Sequence, residues 1–531
     1  RAGVIIAENV PGYTVSILAP RVDSLRVILK RLGTRIRLTQ PQMDAALVRH
    51  KQMPNRPTVV FGDAPFDIVS VLEEHRVEYP GLIIQSSPKR FYPDSAAVSA
   101  FIGYTSEINE AELASDRGIG YKPGQQIGKA GLEAQYDSVL HGTEGSRFVE
   151  VDAKQRVVRE AGVRAELPAV SGPPLRTNID MDLQRFVARL FADSLAGAAV
   201  VLEPATGAVL AMHSAPGYDP NRFIGGVSRE YFDGLLADPR RPLYNKAIQG
   251  KYEPGSTWKL ATAIIGLQNS LVRMDDVMPQ RCEGGYQLGN RYFRCWNKEG
   301  HGRIDLKRAI EQSCDVYFYQ LGLKITLAGL VAGGRTMEFG EKTRVDLPNE
   351  AVSDFPPVDP RELNAYYNKR FPRGWGSRGG EALNLAIGQG SNTQTVVAMA
   401  RFYTALATDG QAVRPRVVGN EPERTRLFQI TDDQMQQVRA AMVGVVSSGT
   451  AASAAIRGVS FAGKTGSAQN AQDATKDHAW FVGFAPAEDP KIVVAVMIEF
   501  GLHGSRAARI AKSIVEHYLK TSVSAPAVTG D

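Results

Sequence analysis

Three short motifs constrain this chain more than any other feature, because their chemistry requires the fold to bring them to one point. Ser256-Thr257-Trp258-Lys259 is followed 57 residues later by Ser313-Cys314-Asp315, and Lys464-Thr465-Gly466 comes 151 residues after that. A serine hydroxyl is a weak nucleophile until a neighbouring base takes its proton. On a helix, a spacing of three puts Lys259 on the face of Ser256, one turn away. To serve as that base the lysine must be neutral, so it is expected to be desolvated and close to other cations. Pro254-Gly255 breaks the chain just before the serine, and Leu260 to Leu267 reads as a buried helix. The nucleophile is therefore expected to open a helix, where unpaired N–H groups face a developing negative charge. Ser86-Ser87-Pro88-Lys89 has the same spacing but carries an interior proline and has no partner motifs. Ser313-Cys314-Asp315 is the sole S-x-[ND] triplet and Lys464-Thr465-Gly466 the sole K-T-G.

In this order the motifs resemble the S-x-x-K, S-D-N and K-T-G set of penicillin-binding proteins and class A β-lactamases, with Cys314-Asp315 in place of D-N. The likeness covers nearly the whole chain. Gly128-Lys129-Ala130-Gly131-Leu132-Glu133, Tyr136 and Leu140-His141-Gly142 resemble the non-catalytic module of the class B penicillin-binding proteins. Thr177-Asn178-Ile179-Asp180 with Leu183-Gln184 resembles the entry to their transpeptidase domain. Tyr218-Asp219-Pro220-Asn221, Tyr252-Glu253-Pro254-Gly255-Ser256 and the aspartate ending the second motif are similar to the elongation-specific subgroup, penicillin-binding protein 2.

The resemblance implies an α+β fold: an elongated pedestal module, dimerisation-like, over residues 1–170, a transpeptidase domain over 171–520 built on an antiparallel five-stranded sheet flanked by helices, and a disordered tail over 521–531. Val170-Ser171-Gly172-Pro173-Pro174 reads independently as a linker. Residues 198–212 and 479–498 read as two strand pairs, and 505–520 as a helix. The implied reaction is D,D-transpeptidation. Ser256 attacks the penultimate D-Ala carbonyl of a peptidoglycan stem peptide, Lys259 takes its proton, and Ser313 relays a proton to the leaving D-Ala. Lys464 supplies charge for the terminal carboxylate, with Thr465 beside it and Gly466 in the turn, and the N–H groups of Ser256 and Ser467 hold the oxyanion. An amine of a second stem peptide then resolves the acyl-enzyme. Asp315 departs from the commoner asparagine. An ionised aspartate only accepts hydrogen bonds, so it either holds substrate by another route or pairs with Lys259 and keeps it charged. Water in place of the amine would make a D,D-carboxypeptidase. A β-lactam-hydrolysing enzyme, a β-lactam sensor and a silent scaffold are further alternatives. Whether Glu381 to Thr393, with Gly388-Gln389-Gly390, lines the cleft or packs behind it is open.

The implied partners are stem peptides, β-lactams, a SEDS-family glycosyltransferase and other elongation-complex proteins. The implied location is the bacterial inner membrane, with the catalytic domain in the periplasm. No stretch approaches ~18 consecutive apolar residues, so the family's N-terminal membrane anchor is expected to lie outside the sequence beginning Arg1-Ala2-Gly3-Val4. A length of 531 residues requires two or more domains. The net charge of +6 is spread along the chain, which suits a solvated surface or an anionic polymer and shows no compact basic tract for nucleic acid.

The cysteines carry a separate inference. Cys282, Cys295 and Cys314 are the only ones, they fall within 33 positions, and His301 lies among them. Three thiolates and an imidazole suit a closed tetrahedral zinc site of structural role, with no organic cofactor. An oxidising compartment would instead favour a Cys282–Cys295 disulfide, with Cys314 a buried thiol, and three unlinked thiols are the third reading.

Overall fold

The computed structural model describes all residues except 37, 53, 55, 63, 146–149, 152–156, 160–166, 192–193, 372–377, 420, 469–476 and 525–531. The chain forms two compact units. One comprises Ile5–Leu175 with Asp219–Gly234, the other Arg1–Val4, Arg176–Tyr218 and Leu235–Asp531. The boundary thus lies five residues beyond the bound expected at 170 and directly after the Val170–Pro174 stretch read as a linker, for a local reason. Val170 and Thr143 exchange backbone hydrogen bonds at 2.8 and 2.9 Å, and Gly172 lies so close that a Cβ would sit 2.6 Å from the Leu140 carbonyl oxygen. The Gly-Pro stretch is packed against its own unit.

In the first unit β1 (Glu8–Ile17) is central, flanked by β2 (Thr58–Phe61) and β3 (Leu82–Phe91). Helix Val22–Ile36 offers Leu25, Leu29, Leu32 and Ile36, a 3.6-period stripe, to the core formed with Val15, Ile17, Val60 and Leu82. The four residues of β2 are too few to show a period in the sequence. Short pairs β4 (Thr105–Glu107) with β5 (Gln126–Gly128), and β6 (Glu150–Val151) with β7 (Val157–Arg159), complete the unit. Two of the family-like segments are explained by contacts within it. The Asn221 amide brackets the Tyr92 backbone, accepting from its N–H and donating to its carbonyl at 2.9 Å each. Buried Glu133 accepts from Arg90 Nε at 2.6 Å and from the Tyr92 hydroxyl at 3.2 Å.

The second unit is built on a five-stranded antiparallel sheet from β8 (Gly197–Leu202), β9 (Val209–Ala215), β14 (Ala462–Ala468), β15 (His478–Ala485) and β16 (Ile492–Ile498), in the order β14-β15-β16-β8-β9. Between them in sequence lie the small pairs β10 (Gly285–Leu288) with β11 (Arg291–Arg294), and β12 (Gln411–Val413) with β13 (Arg424–Arg426). Helices Val396–Ala407 and Gly504–Ser524 both pack on the large sheet. With both faces covered, its central strands read as unbroken Val/Ala/Ile runs instead of alternating. The last helix reaches Ser524, four residues into the expected tail; 525–531 lie outside the described residues. Among the described residues no single helix is long and apolar enough to cross a membrane.

Candidate active site

The three motifs converge in the second unit. Ser256 lies in a single 3-10 turn, Gly255–Trp258, that runs directly into helix Lys259–Gln268. Fully buried Trp258 holds the turn down, its ring 4.3 Å from that of Phe339 and 5.3 Å from that of Phe355. Two glycines permit close backbone approach. Gly255 has φ +52°, and a Cβ there would lie 2.8 Å from the Ser467 carbonyl oxygen. A Cβ on Gly388 would lie 2.3 Å from the Gly255 oxygen. Hence the nucleophile turn is wedged between the β14 edge and the Gly388-Gln389-Gly390 loop. That loop does both things left open above: Gly388 packs behind the turn, while Ile387 and Gln389 line the cleft. Ser86–Lys89, the isolated S-x-x-K, lies on strand β3 of the other unit.

Lys259 is fully buried, and among the described residues its ammonium bonds only to the second motif. It donates to the Ser313 carbonyl at 2.8 Å, to Ser313 Oγ at 3.2 Å and to Asp315 Oδ1 at 2.7 Å. Asp315 Oδ2 accepts the Trp296 N–H at 3.0 Å. Burial pushes the Asp315 carboxyl up, and the Lys259 ammonium opposes that shift. Both oxygens of Asp315 are engaged inside the protein, which makes it the residue that positions Lys259. Ser313 has φ +55°, the left-handed conformation usually given to glycine just past a helix end. It follows helix Leu306–Glu311 and precedes helix Asp315–Ile325. A serine there costs about 1–2 kcal/mol, tolerated where its hydroxyl meets Lys259.

Lys464 lies on β14 and is fully buried. Burial, then the nearby Lys259 charge, push its ammonium well down. Desolvated and cation-flanked, it meets the condition set above for a neutral lysine. It is not among the residues lining the cleft. Thr465 and Ser467 do line it; the Thr465 and Thr450 hydroxyls lie 2.6 Å apart, and Ser467 Oγ accepts the Gly504 N–H at 3.4 Å. Gly466 is a close-approach position, since a Cβ there would lie 2.8 Å from the Pro254 oxygen. The cleft holds about 520 Å³ between these strand residues with His503 and Asp477, and Arg294, Trp296, Ser313 and Tyr319.

Sequence reasoning gave no role to Arg294, Trp296, Thr450 or His503, which no motif marks, or to Glu253, three residues before Ser256. Glu253 accepts the Gly390 N–H at 3.2 Å. Burial, with Glu381 adding to it, pushes its carboxyl up to about 7 against the Gly390 bond and Arg370. A raised carboxyl contributes stability that is full below about 4.5 and is lost as pH rises through about 7. Glu253→Gln is therefore expected to remove a loss of about 3 kcal/mol between pH 4.5 and 8, read from denaturant unfolding of both proteins across that range. Parallel curves would contradict this.

The cysteines and His301 also converge. One ligand atom from each of Cys282, Cys295, His301 and Cys314 can be chosen so that all four lie within 4.8 Å of one another. His301 Nδ1 lies 3.6 Å from Cys282 Sγ and 3.5 Å from Cys295 Sγ. Tetrahedral zinc, with bonds of about 2.3 Å to sulfur and 2.0–2.1 Å to nitrogen, requires S···N separations of about 3.5 Å. The donor set and spacing thus fit that metal. The three thiols are unlinked, with His301 facing both Cys282 and Cys295 where the disulfide reading would join them. Cys295 is pushed down, first by its hydrogen bond with Cys314 and then by His301, while the Cys314 thiol is pushed up. Gly284 and Gly300, at φ +88° and +85°, let the loop fold back: a Cβ at either would meet a carbonyl oxygen at 2.2 Å.

With this geometry in view, comparison with known proteins is decisive. The model of the penicillin-binding protein transpeptidase domain matches residues 197–516, and that of the penicillin-binding protein dimerisation domain matches 1–177. The chain belongs to the penicillin-binding protein family. A peptidoglycan D,D-transpeptidase MrdA of Acinetobacter baumannii is 32% identical over 99% of this chain and 80% of the relative. The Escherichia coli protein of the same name is 29% identical over 98% and 85%. Among solved structures, the complex of penicillin-binding protein PBP2 and MreC from Helicobacter pylori superposes with a TM-score of 0.85 at 28% identity, covering 98% of this chain and 97% of that one. Pseudomonas aeruginosa PBP2 in complex with WCK 5153 gives 0.70 at 34% identity, over 82% and 91%. The shared architecture is the class B one, a dimerisation module ahead of a transpeptidase domain.

Proposed function

We propose that Ser256 is the nucleophile through which this penicillin-binding protein carries out its reaction. The protein is a peptidoglycan D,D-transpeptidase, a serine acyltransferase of cell-wall elongation that uses no organic cofactor. One observation carries the assignment of residues: Ser256 lines a cleft with Ser313 and Asp315, and both of these bond to buried Lys259. Ser256 Oγ attacks the penultimate D-Ala carbonyl, and the backbone N–H groups of Ser256 and Ser467 receive the oxyanion. Lys259 takes the serine proton in the state in which its own third proton has passed to Asp315, whose carboxyl burial pushes up. The 3.2 Å link from Lys259 to Ser313 Oγ supplies its way out to the leaving D-Ala. Thr465 and Ser467 hydroxyls meet the terminal carboxylate, and Lys464 is buried next to Thr465 in the chain, where the Lys259 and Asp315 charges act on it. An amine of a second stem peptide then takes the acyl group. β-Lactams acylate the same serine; intact mass after β-lactam addition, with peptide mapping, is expected to show one lasting adduct on Ser256. Its absence, or an adduct mapped elsewhere, would overturn the assignment.

Cys282, Cys295, His301 and Cys314 would hold a structural zinc. Cys314 adjoins Ser313 and Asp315, and Cys295 adjoins Trp296, whose N–H holds Asp315, so the metal would fix the second motif from both sides. Chelation, verified by elemental analysis, is expected to slow β-lactam acylation by about 10–100-fold while the adduct still maps to Ser256. An unchanged rate in metal-free protein would remove this role. Inner-membrane anchoring with the domain in the periplasm is the location that suits the substrate. A SEDS-family glycosyltransferase and elongation-complex proteins are the expected partners, a reading supported by the MreC complex of the Helicobacter relative.

A further inference from the structure

The cleft is short of accessible positive charge. Lys464 is fully buried and Lys259 is paired with Asp315. The charged and titratable side chains on the wall are Arg294, Asp315, Asp477 and His503, with Cys295 and Tyr319, so Arg294 is the one accessible permanent cation among the described lining residues. Arg294 is exposed, and among the described residues its guanidinium has no ion-pair or hydrogen-bond partner.

Its backbone, by contrast, is held firmly. Arg294 ends β11, paired with Gly285, which presents no cross-strand side chain to crowd it. The Tyr319 hydroxyl donates to the Arg294 carbonyl at 3.0 Å. The next two residues are fixed as well: the Cys295 N–H donates to Gly284 O at 2.8 Å, and the Trp296 N–H to Asp315 at 3.0 Å. A free guanidinium on a fixed backbone, lining the same cleft as the nucleophile, suits a carboxylate, whose two oxygens match the planar fork. Arg294 comes from the hairpin and lies with Trp296 and Ser313, whereas the hydroxyls assigned to the terminal carboxylate lie on β14.

We infer that Arg294 is a specificity residue that receives a second carboxylate, carried on a side chain of the stem peptide upstream of the D-Ala pair. The substrate class is then a stem peptide with that acid free, discriminated from its amidated form. This rests on the acyl-transfer reading above.

The test uses two thioester analogues of the donor peptide that differ only in a side-chain carboxylate or carboxamide, with the wild-type protein, Arg294→Met and Arg294→Lys. The wild type is expected to prefer the carboxylate by about tenfold in kcat/KM for acylation, the size of one charge-assisted contact. Arg294→Met should erase the preference while leaving the carboxamide rate within about twofold, and Arg294→Lys should restore part of it. A preference that survives in Arg294→Met, or equal losses on both analogues, would overturn the inference. β-Lactam adduct formation on Ser256 is followed in parallel. A normal adduct together with a carboxylate preference that does not depend on Arg294 sinks this inference alone, whereas no adduct in the wild type removes the acyl-transfer reading itself.

Discussion

Ser256→Ala is expected to abolish the covalent β-lactam adduct and to lower turnover of a D-Ala-D-Ala peptide by on the order of 10⁴-fold or more, the scale seen when a serine nucleophile is removed. The fold should tolerate the change. Ser256 is half-buried at the cleft wall, and the turn around it is held by Trp258 and by the Thr257 hydroxyl, which donates to Pro254 O at 2.7 Å. Unfolding free energy is therefore expected to stay within about 0.5 kcal/mol, so loss of activity cannot be assigned to loss of structure. The informative failure would be an adduct of undiminished rate in the variant. That would place the nucleophile elsewhere, with Ser313 the first candidate.

Lys259→Met is the second large effect, and it separates chemistry from stability. Methionine keeps the length of the side chain but cannot accept or pass a proton, so acylation should fall by about 10²–10⁴-fold. It also leaves Asp315 buried without its ion-pair partner, at a cost of about 3–5 kcal/mol. Burial already pushes that carboxyl up, and losing Lys259 removes the charge opposing the shift. The deficit should therefore grow as pH rises, because the unpaired group must ionise where it is not solvated. Adding Asp315→Leu should recover most of the stability and none of the acylation. Recovery of both would show that Lys259 serves the fold alone. The measurements are stopped-flow acylation and denaturant unfolding at pH 5 and pH 8.

The legible parts of the site were those whose chemistry is written in a few adjacent residues. Ser256 with Lys259, the Ser313 triplet and the K-T-G strand could be read because each residue type is required and the order is fixed. The convergence of Cys282, Cys295, His301 and Cys314 was readable for the same reason. The large sheet was legible because strands covered on both faces become unbroken apolar runs, as in Ile492–Ile498. Other features depend on contacts between distant segments. Pairing of Lys259 with Asp315 was only one of two readings, since spacing along the chain cannot say which way a buried ammonium turns. The complete burial of Lys464 could not be read from K-T-G, where the same letters suit an accessible lysine. Arg294 and Glu253 are ordinary charges in sequence; only the Tyr319–Arg294 bond and the approach of Gly390 to Glu253 give them meaning. The Val170–Pro174 stretch does lie at the end of the first unit, but its linker composition does not reveal that Val170 pairs back onto Thr143.

The central claim is that an acyl group formed on Ser256 passes to an amine, and product analysis tests it most directly. The protein would be incubated with a peptide ending in D-Ala-D-Ala and a second peptide bearing a free side-chain amine, and the products read by mass spectrometry. The account predicts a cross-linked peptide with release of one D-Ala, rising with acceptor concentration and absent in Ser256→Ala. Release of D-Ala into hydrolysed peptide alone, at every acceptor concentration, would contradict it and mark the enzyme as a D,D-carboxypeptidase.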